Sequence, residues 1–327
     1  MRASAVLVLL LAGLVIGCNK PTANPVTAPG ASAGKTRITA VVTVGMVAEL
    51  VRNVGGDHVK VIQLLGPGTD PHLYTPRVNH VKDMHSADMI FYSGLKLEGK
   101  LGSTLNELSA SKPVIAVTEK IDPKFLLEPE DSPGHPDPHV WNDVLAWQAC
   151  LTSVSDALEE FDPDHAEQYR AAAESYSKEL DKLHAYAKET LSSIPTENRI
   201  LVTSHDAFNY FGRAYDMQVM GVQGLSTESE AGLQRINELV DLLVEKKVKA
   251  VFVESSVPPK DIDALIDGAK SRDHQVIKGG ELFSDAMGPS GTYTGTYIGM
   301  LDHNITTVAR GLGGAVPKGG FNGQLDD

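Results

Sequence analysis

The stretch PDHAEQYRAAAESYSKELDKLHAYAKETLSSI, residues 163–194, decides how the rest of the chain is read. Tyr169, Ala172, Ala173, Tyr176, Leu180, Leu183, Ala187, Leu191 and Ile194 recur every three or four residues and draw one apolar stripe along a helix. Pro163 suits the first helical position, where its missing N–H costs nothing, and Asp162 is placed to cap it. Pro195 ends the run. At about 1.5 Å per residue the helix would measure roughly 45 Å, enough to span a small protein. A strand–helix series lies on each side of it, so it reads as a spine joining two lobes.

On the N-terminal side, residues 37–44, 59–65, 89–92 and 114–117 are β-branched and apolar and read as strands. Helical patterns at 46–54, 77–86 and 100–109 alternate with them. On the C-terminal side the strands are 199–203, 218–222, 250–254 and 275–277, with helices at 233–246, 261–270 and 297–312. Such alternation predicts an α/β fold: two lobes, 37–162 and 195–327, each a four-stranded parallel sheet with flanking helices. Sheets of this kind bind ligands beyond the carboxyl ends of their strands.

The N-terminus is read separately. Arg2, an apolar run at 6–16 and the sequence Val15-Ile16-Gly17-Cys18 make residues 1–17 a signal peptide. Cys18 resembles the lipidated cysteine of the bacterial lipobox; the plainer alternative is a signal peptide with an incidental cysteine. Residues 18–36, rich in Pro, Ala, Thr, Ser and Gly, then form a flexible tether. The other cysteine, Cys150, has no partner in the mature chain and is expected to be a buried, inert thiol. A net charge of −13 argues against a nucleic-acid partner and mildly for a cationic ligand.

Two loops share a local frame. Gly66-Pro67-Gly68-Thr69-Asp70-Pro71-His72 follows the second strand, and Asp137-Pro138-His139-Val140-Trp141 follows the fourth. Proline fixes the backbone ahead of each imidazole. In the second lobe His205 ends one strand, and Asp285 lies on the loop after the last. Three imidazoles and a carboxylate, two from each lobe, make a ligand set suited to a borderline divalent cation in the cleft. On spacing alone the alternative stays open that His205 caps a helix and Asp285 bonds backbone N–H groups.

Residues 66–74, 137–141, 203–211, 254–256, 280–288 and 295–304 together resemble the metal-binding lipoproteins of bacterial ABC importers, specifically their TroA-like zinc and manganese branch. The resemblance extends over nearly all of 37–312. It implies two α/β lobes bridged by a long helix, with His72, His139, His205 and Asp285 as metal ligands. It implies a monomer, lipid-anchored outside the cytoplasm on a bacterial membrane, periplasmic or at the cell surface. Such a protein catalyses nothing; it hands Zn²⁺ or Mn²⁺ to a permease driven by an ATPase. That ATPase must be a separate protein, because the chain has no Gly-x-x-x-x-Gly-Lys-Ser/Thr loop. Manganese-selective relatives tend to carry Glu where this chain has His205, so the set here leans toward zinc. Many zinc relatives also carry a long His-rich loop; the corresponding stretch here is short and acidic, with His135 alone.

Other roles follow from position. His135 is a candidate auxiliary contact, and Asp70, Asp137 and Asp206 are candidates to orient the imidazoles. The remaining histidines, 58, 80, 85, 165, 184, 274 and 303, are expected at the surface or in packing. Two competing functions are a zinc hydrolase, which would need a position open to water and a general base, and a surface adhesin.

Overall fold

The structure, a computed structural model, describes residues 37–129 and 134–326. The signal peptide, Cys18 and the tether lie outside the described residues. β1 (Ile38–Val42) is buried along almost its whole length, as a strand covered on both faces must be. It lies inside a parallel sheet of order β2-β1-β3-β4, with β2 at Val59–Gln63, β3 at Met89–Tyr92 and β4 at Val114–Ala116. Helices α1 (Gly45–Gly55), α2 (Val78–Ser86) and α3 (Gly102–Ser109) connect the strands. α4 (Val144–Phe161) follows, capped by Asp143, whose carboxylate accepts the N–H of Leu145 at 3.1 Å and of Ala146 at 3.3 Å.

The spine is α5 (Ala166–Ser192), 27 residues or about 40 Å. Its apolar stripe is the expected one. Tyr169, Tyr176, Leu180, Leu183, Ala187 and Leu191 are buried, and Ile194 is buried just past its end. The stripe packs on α1 and α4 on one side and on α9 (Tyr297–Gly311) on the other. One apolar cluster therefore runs from the first sheet through the spine into the C-terminal half. The start of the spine departs from expectation. Pro163–His165 form a single 3₁₀ turn, and Asp162 does not cap it. Its carboxylate accepts instead from the His165 ring and the Tyr169 hydroxyl, both at 2.7 Å.

Beyond the spine come β5 (Ile200–Thr203), α6 (Asn209–Tyr215), β6 (Gln218–Gly221), α7 (Leu233–Glu245), β7 (Ala250–Glu254), α8 (Lys260–Lys270) and β8 (Ile277–Leu282). The four strands are paired in two parallel ladders, β5–β6 and β7–β8, rather than one continuous four-stranded ladder, with β5 packed alongside β7. A smaller apolar cluster lies between these strands and α7 and α8. No helix among the described residues is long and apolar enough to cross a membrane.

The last strand, expected at 275–277, instead spans 277–282. Two glycines in its middle hid it, since glycine ordinarily weakens a strand. Here they make a bulge. Val251 pairs with Lys278 and Phe252 with Gly280, so Gly279 is the extra residue. A Cβ on Gly279 would lie 2.6 Å from the Phe252 ring. Gly279→Ala should therefore cost about 1–3 kcal/mol by overpacking, read as a lower urea midpoint; an unchanged midpoint would show that the bulge has room to relax.

Candidate metal centre

Four loops at the carboxyl ends of strands bring His72, His139, His205 and Asp285 together, all buried. His72 lies in the loop between β2 and α2. Gly68, in the left-handed region at φ +66°, lets that loop lie against the Ser255 carbonyl. Asp70 Oδ1 accepts the backbone N–H of His72 at 2.8 Å, closing a side-chain turn that aims the residue inward.

His139 and His205 are held by one device used twice. Asp137 Oδ1 takes both the backbone N–H of His139, at 2.9 Å, and its ring Nδ1–H, at 2.8 Å. Glu254, at the end of β7, takes the backbone N–H of His205 through Oε1 at 2.8 Å and its Nδ1–H through Oε2 at 2.5 Å. Fixing the proton on Nδ1 turns the Nε2 lone pair toward the centre, as metal-ligating histidines require. The Asp285 loop is anchored by its neighbours: Trp141 Nε1–H donates to the Ser284 carbonyl at 2.9 Å, and Asn304 brackets Phe283 through both its amide and its carbonyl.

The donor atoms converge. His139 Nε2 lies 3.3 Å from His72 Nε2 and 3.4 Å from His205 Nε2. Asp285 Oδ1 lies 3.4 Å from His139 Nε2, and Oδ2 lies 3.3 Å from His205 Nε2 and 4.0 Å from His72 Nε2. A tetrahedral zinc site with bonds of about 2.0–2.1 Å has edges of about 3.3–3.4 Å. The His139 edges to His72 and His205 match such a site, the nearer Asp285 oxygen stands at that distance from His139 and from His205, and all four donors lie within 4.8 Å of one another. Neither Asp285 oxygen accepts a well-formed hydrogen bond, although both are buried. A carboxylate without donors, facing ring nitrogens at non-bonded geometry, is the arrangement a cation completes.

The electrostatics split the three imidazoles. Burial opposes charge on His139, but Asp137 and Asp285 outweigh it and raise its pKa to about 9. Burial likewise opposes charge on His205, yet Glu254 and Asp285 hold its pKa well above the ordinary value. His72 has Asp285 near it but no carboxylate on its own ring, and burial pushes it down to about 4. For Asp285 burial acts upward, but His205 and His139 hold it well below the usual carboxylate range.

The sites named from sequence divide accordingly. All four candidate ligands meet, and His205 and Asp285 do not act as a helix cap or a backbone acceptor. Asp137 orients His139 as expected. Asp206 does not orient His205; Glu254 does, reaching it from the neighbouring strand. The signal for Glu254 was a carboxylate closing an otherwise apolar strand. Asp70 fixes backbone rather than an imidazole, and its Oδ2 accepts from Thr227 Oγ1 at 2.5 Å across the cleft. His135 rests against Lys96 Nζ at 3.0 Å, beside a cavity that it shares with His72, and joins no ligand cluster. Cys150 is buried, and burial pushes its thiol up, out of the reactive range. Asn142, unassigned from sequence, donates to the Ala207 carbonyl at 2.9 Å and ties the His139 loop to the far side of the cleft.

Comparison with known proteins shows the family and the fold. Residues 40–311 match the family model described as the zinc-uptake complex component A, periplasmic. The chain is 45% identical over 284 residues to the manganese-binding lipoprotein MntA of Bacillus subtilis, covering 86% of this chain and 92% of that one. It is 44% identical over 272 residues to the zinc-binding protein TroA of Treponema pallidum, covering 83% and 88%. The solved structure of periplasmic TroA from the same organism superposes with a TM-score of 0.82 over 84% of this chain and 99% of that one, at 43% identity. The Fe(III)-bound YtgA of Chlamydia trachomatis superposes at 0.76, at 28% identity, over 86% of this chain and 99% of that one.

The raised pKa of His139 fixes a sign. From an ordinary 6.5 it rises to about 9, so its contribution to stability is complete below pH 6.5 and is lost as pH rises through about 9. The urea midpoint of metal-free protein should fall across that window, and Asp137→Asn should flatten the fall. A His139 ring that titrates below pH 6.5 in NMR spectra of metal-free protein would contradict this assignment.

Proposed function

This chain belongs to the family of the periplasmic zinc-uptake complex component A, and on that premise we propose that it is the solute-binding lipoprotein of a bacterial ABC importer. It captures a divalent transition metal outside the cytoplasm, Zn²⁺ in preference to Mn²⁺, and delivers it to the permease and its ATPase. His72, His139, His205 and Asp285 are the ligands. Residues 1–17 are removed, Cys18 carries the lipid, and 18–36 tether two lobes, 37–162 and 195–327, joined through 163–194. One observation carries the proposal: a buried carboxylate with no well-formed hydrogen bond faces three imidazole nitrogens, all four donors lying within 4.8 Å of one another.

Relatives of nearly equal identity are named for manganese and for zinc, so overall similarity does not choose the ion. The donor set does. Three imidazoles and one carboxylate suit a borderline ion, whereas the harder Mn²⁺ favours more oxygen. Manganese has one point in its favour, since both Asp285 oxygens are free of other bonds and could bind together. A hydrolase is less consistent with the site. Four protein donors fill a tetrahedral ion, and the carboxylates behind them are already bonded to ring nitrogens. Members of this family are solute-binding proteins.

The test is direct. Protein purified without added metal and titrated with Zn²⁺ should bind one equivalent and displace Mn²⁺ in competition. Asp285→Ala and His72→Ala should each abolish the rise in melting temperature that Zn²⁺ gives the wild type, which is about 4 kcal/mol of linkage at a thousandfold excess over Kd. His205→Glu should narrow the preference for Zn²⁺ over Mn²⁺. Retention of the full shift in both alanine variants would exclude this site. Separately, Cys18→Ala should leave the protein unprocessed or released from membranes; a variant processed and anchored like wild type would remove the lipid anchor from the proposal.

A further inference from the structure

The four candidate ligands are not held alike. His139 and His205 each have a carboxylate on ring Nδ1, and the loops bearing His139 and Asp285 are bonded across the cleft. Asn142 reaches the Ala207 carbonyl, Tyr210 Oη–H donates to the Asp137 carbonyl at 3.0 Å, and Tyr297 Oη–H donates to the Trp141 carbonyl at 2.7 Å. His72 differs. Its Nδ1 has no hydrogen-bond partner among the described residues, and it lies within the long loop between β2 and α2. What fixes its backbone is Asp70 Oδ1, and the second oxygen of that carboxylate is held from the opposite lobe by Thr227.

Thr227 lies at the tip of the loop between β6 and α7. The base of this loop is fixed by the Asp206 N–H on the Gly224 carbonyl at 3.3 Å, and its far side by the Lys260–Glu230 ion pair. The same loop walls a cavity of about 380 Å³ that opens beside His72, together with Leu95, Pro138, Gly224, Leu225 and Ser226. The least supported imidazole thus lies against a space, and the hydrogen bond beside it spans the cleft.

We propose that the Thr227–Asp70 hydrogen bond is a latch across the cleft, which keeps His72 on the bound ion and sets the rate at which the ion leaves past the 224–228 loop. Thr227 is a positioning residue. It touches none of the four donors and acts through the Asp70 carboxylate and the His72 backbone. When the bond breaks, the two loops separate without disturbing the bonded His139, His205 and Asp285 side. The latch rests on the metal-binding function proposed above.

The experiment loads the full chain with Zn²⁺ and measures release into excess chelator by stopped flow, for wild type, Thr227→Val and Thr227→Ser. Valine keeps the shape and removes the donor; serine keeps the donor. A hydrogen bond to a carboxylate of ordinary strength predicts release about tenfold faster in Thr227→Val. Association should change by less than about twofold, and Thr227→Ser should return release to the wild-type rate. Thr227→Val and Asp70→Ala together should be no faster than Asp70→Ala alone, because the latch acts only through that carboxylate. Unchanged release in Thr227→Val, additive effects, or equal acceleration in Thr227→Ser would each overturn the latch. So would a Thr227→Val whose only change is a lower melting temperature without metal. A wild-type chain that binds no Zn²⁺ overturns the metal-binding function itself, and that result is seen before any variant is compared.

Discussion

A carboxylate taken out of water costs several kcal/mol unless an opposite charge meets it. Asp285 is buried, at 1% exposure, with no well-formed hydrogen bond to either oxygen. Three imidazole nitrogens surround it, and Asp137 and Glu254 hold two of those rings so that their lone pairs face the same point. Ring nitrogens and carboxylate oxygens face one another at 3.3–3.4 Å, so positive charge, a cation or ring protons, has to lie among them. The rest of the architecture follows from keeping this arrangement assembled from four separate loops.

The spine makes that assembly rigid at one end. α5 buries its stripe against helices of both halves, so the larger apolar cluster runs through both of them. On the side nearer His139, polar bonds add to this. Trp141, Asn142, Tyr210 and Tyr297 all pair with backbone across the cleft, each in a buried position where a lost partner would cost about 1–3 kcal/mol. Near His72 such bonds thin out to the Thr227–Asp70 pair and the close approach of Gly68 to Ser255. A site sewn on one side and lightly held on the other can admit an ion without taking the whole cleft apart.

The parts legible in the sequence were those written as local pattern. The apolar stripe of 169–194 follows from helical periodicity, and the paired Asp-Pro-His loops from a repeated frame. Both survive in the structure because neither depends on a distant partner. The parts that were not legible depend on one. Gly279 and Gly280 read as a loop until the Phe252 ring beside the first and the Thr307 side chain beside the second explain why a strand needs them there. Asp162 stands where a cap should be, but the Tyr169 hydroxyl and the His165 ring compete for it and win. Asp206, adjacent to His205, was the natural candidate to orient it. The carboxylate that does so is Glu254, 49 residues away in sequence and one strand away in space. Adjacency in the chain is a poor guide at strand ends, where side chains reach sideways.

Charge balance gives the site its chemical character. In the metal-free protein the carboxylates around His139 and His205 favour the protonated rings against the pull of burial, and burial favours the neutral form of His72. Two imidazolium ions among the carboxylates of Asp137, Glu254 and Asp285 leave one net negative charge. A divalent ion bound to neutral imidazoles leaves the same. Metal and two protons are therefore alternative ways of neutralising one buried cluster, and exchanging them leaves the charge presented to the low-dielectric surroundings unchanged. Ring protons can thus take the electrostatic role of the ion in the metal-free protein. This explains why Asp137 and Glu254, which touch no ion, belong to the site as much as the four donors do. Without them the imidazoles would lose their protons, and Asp285 would stand buried and unpaired.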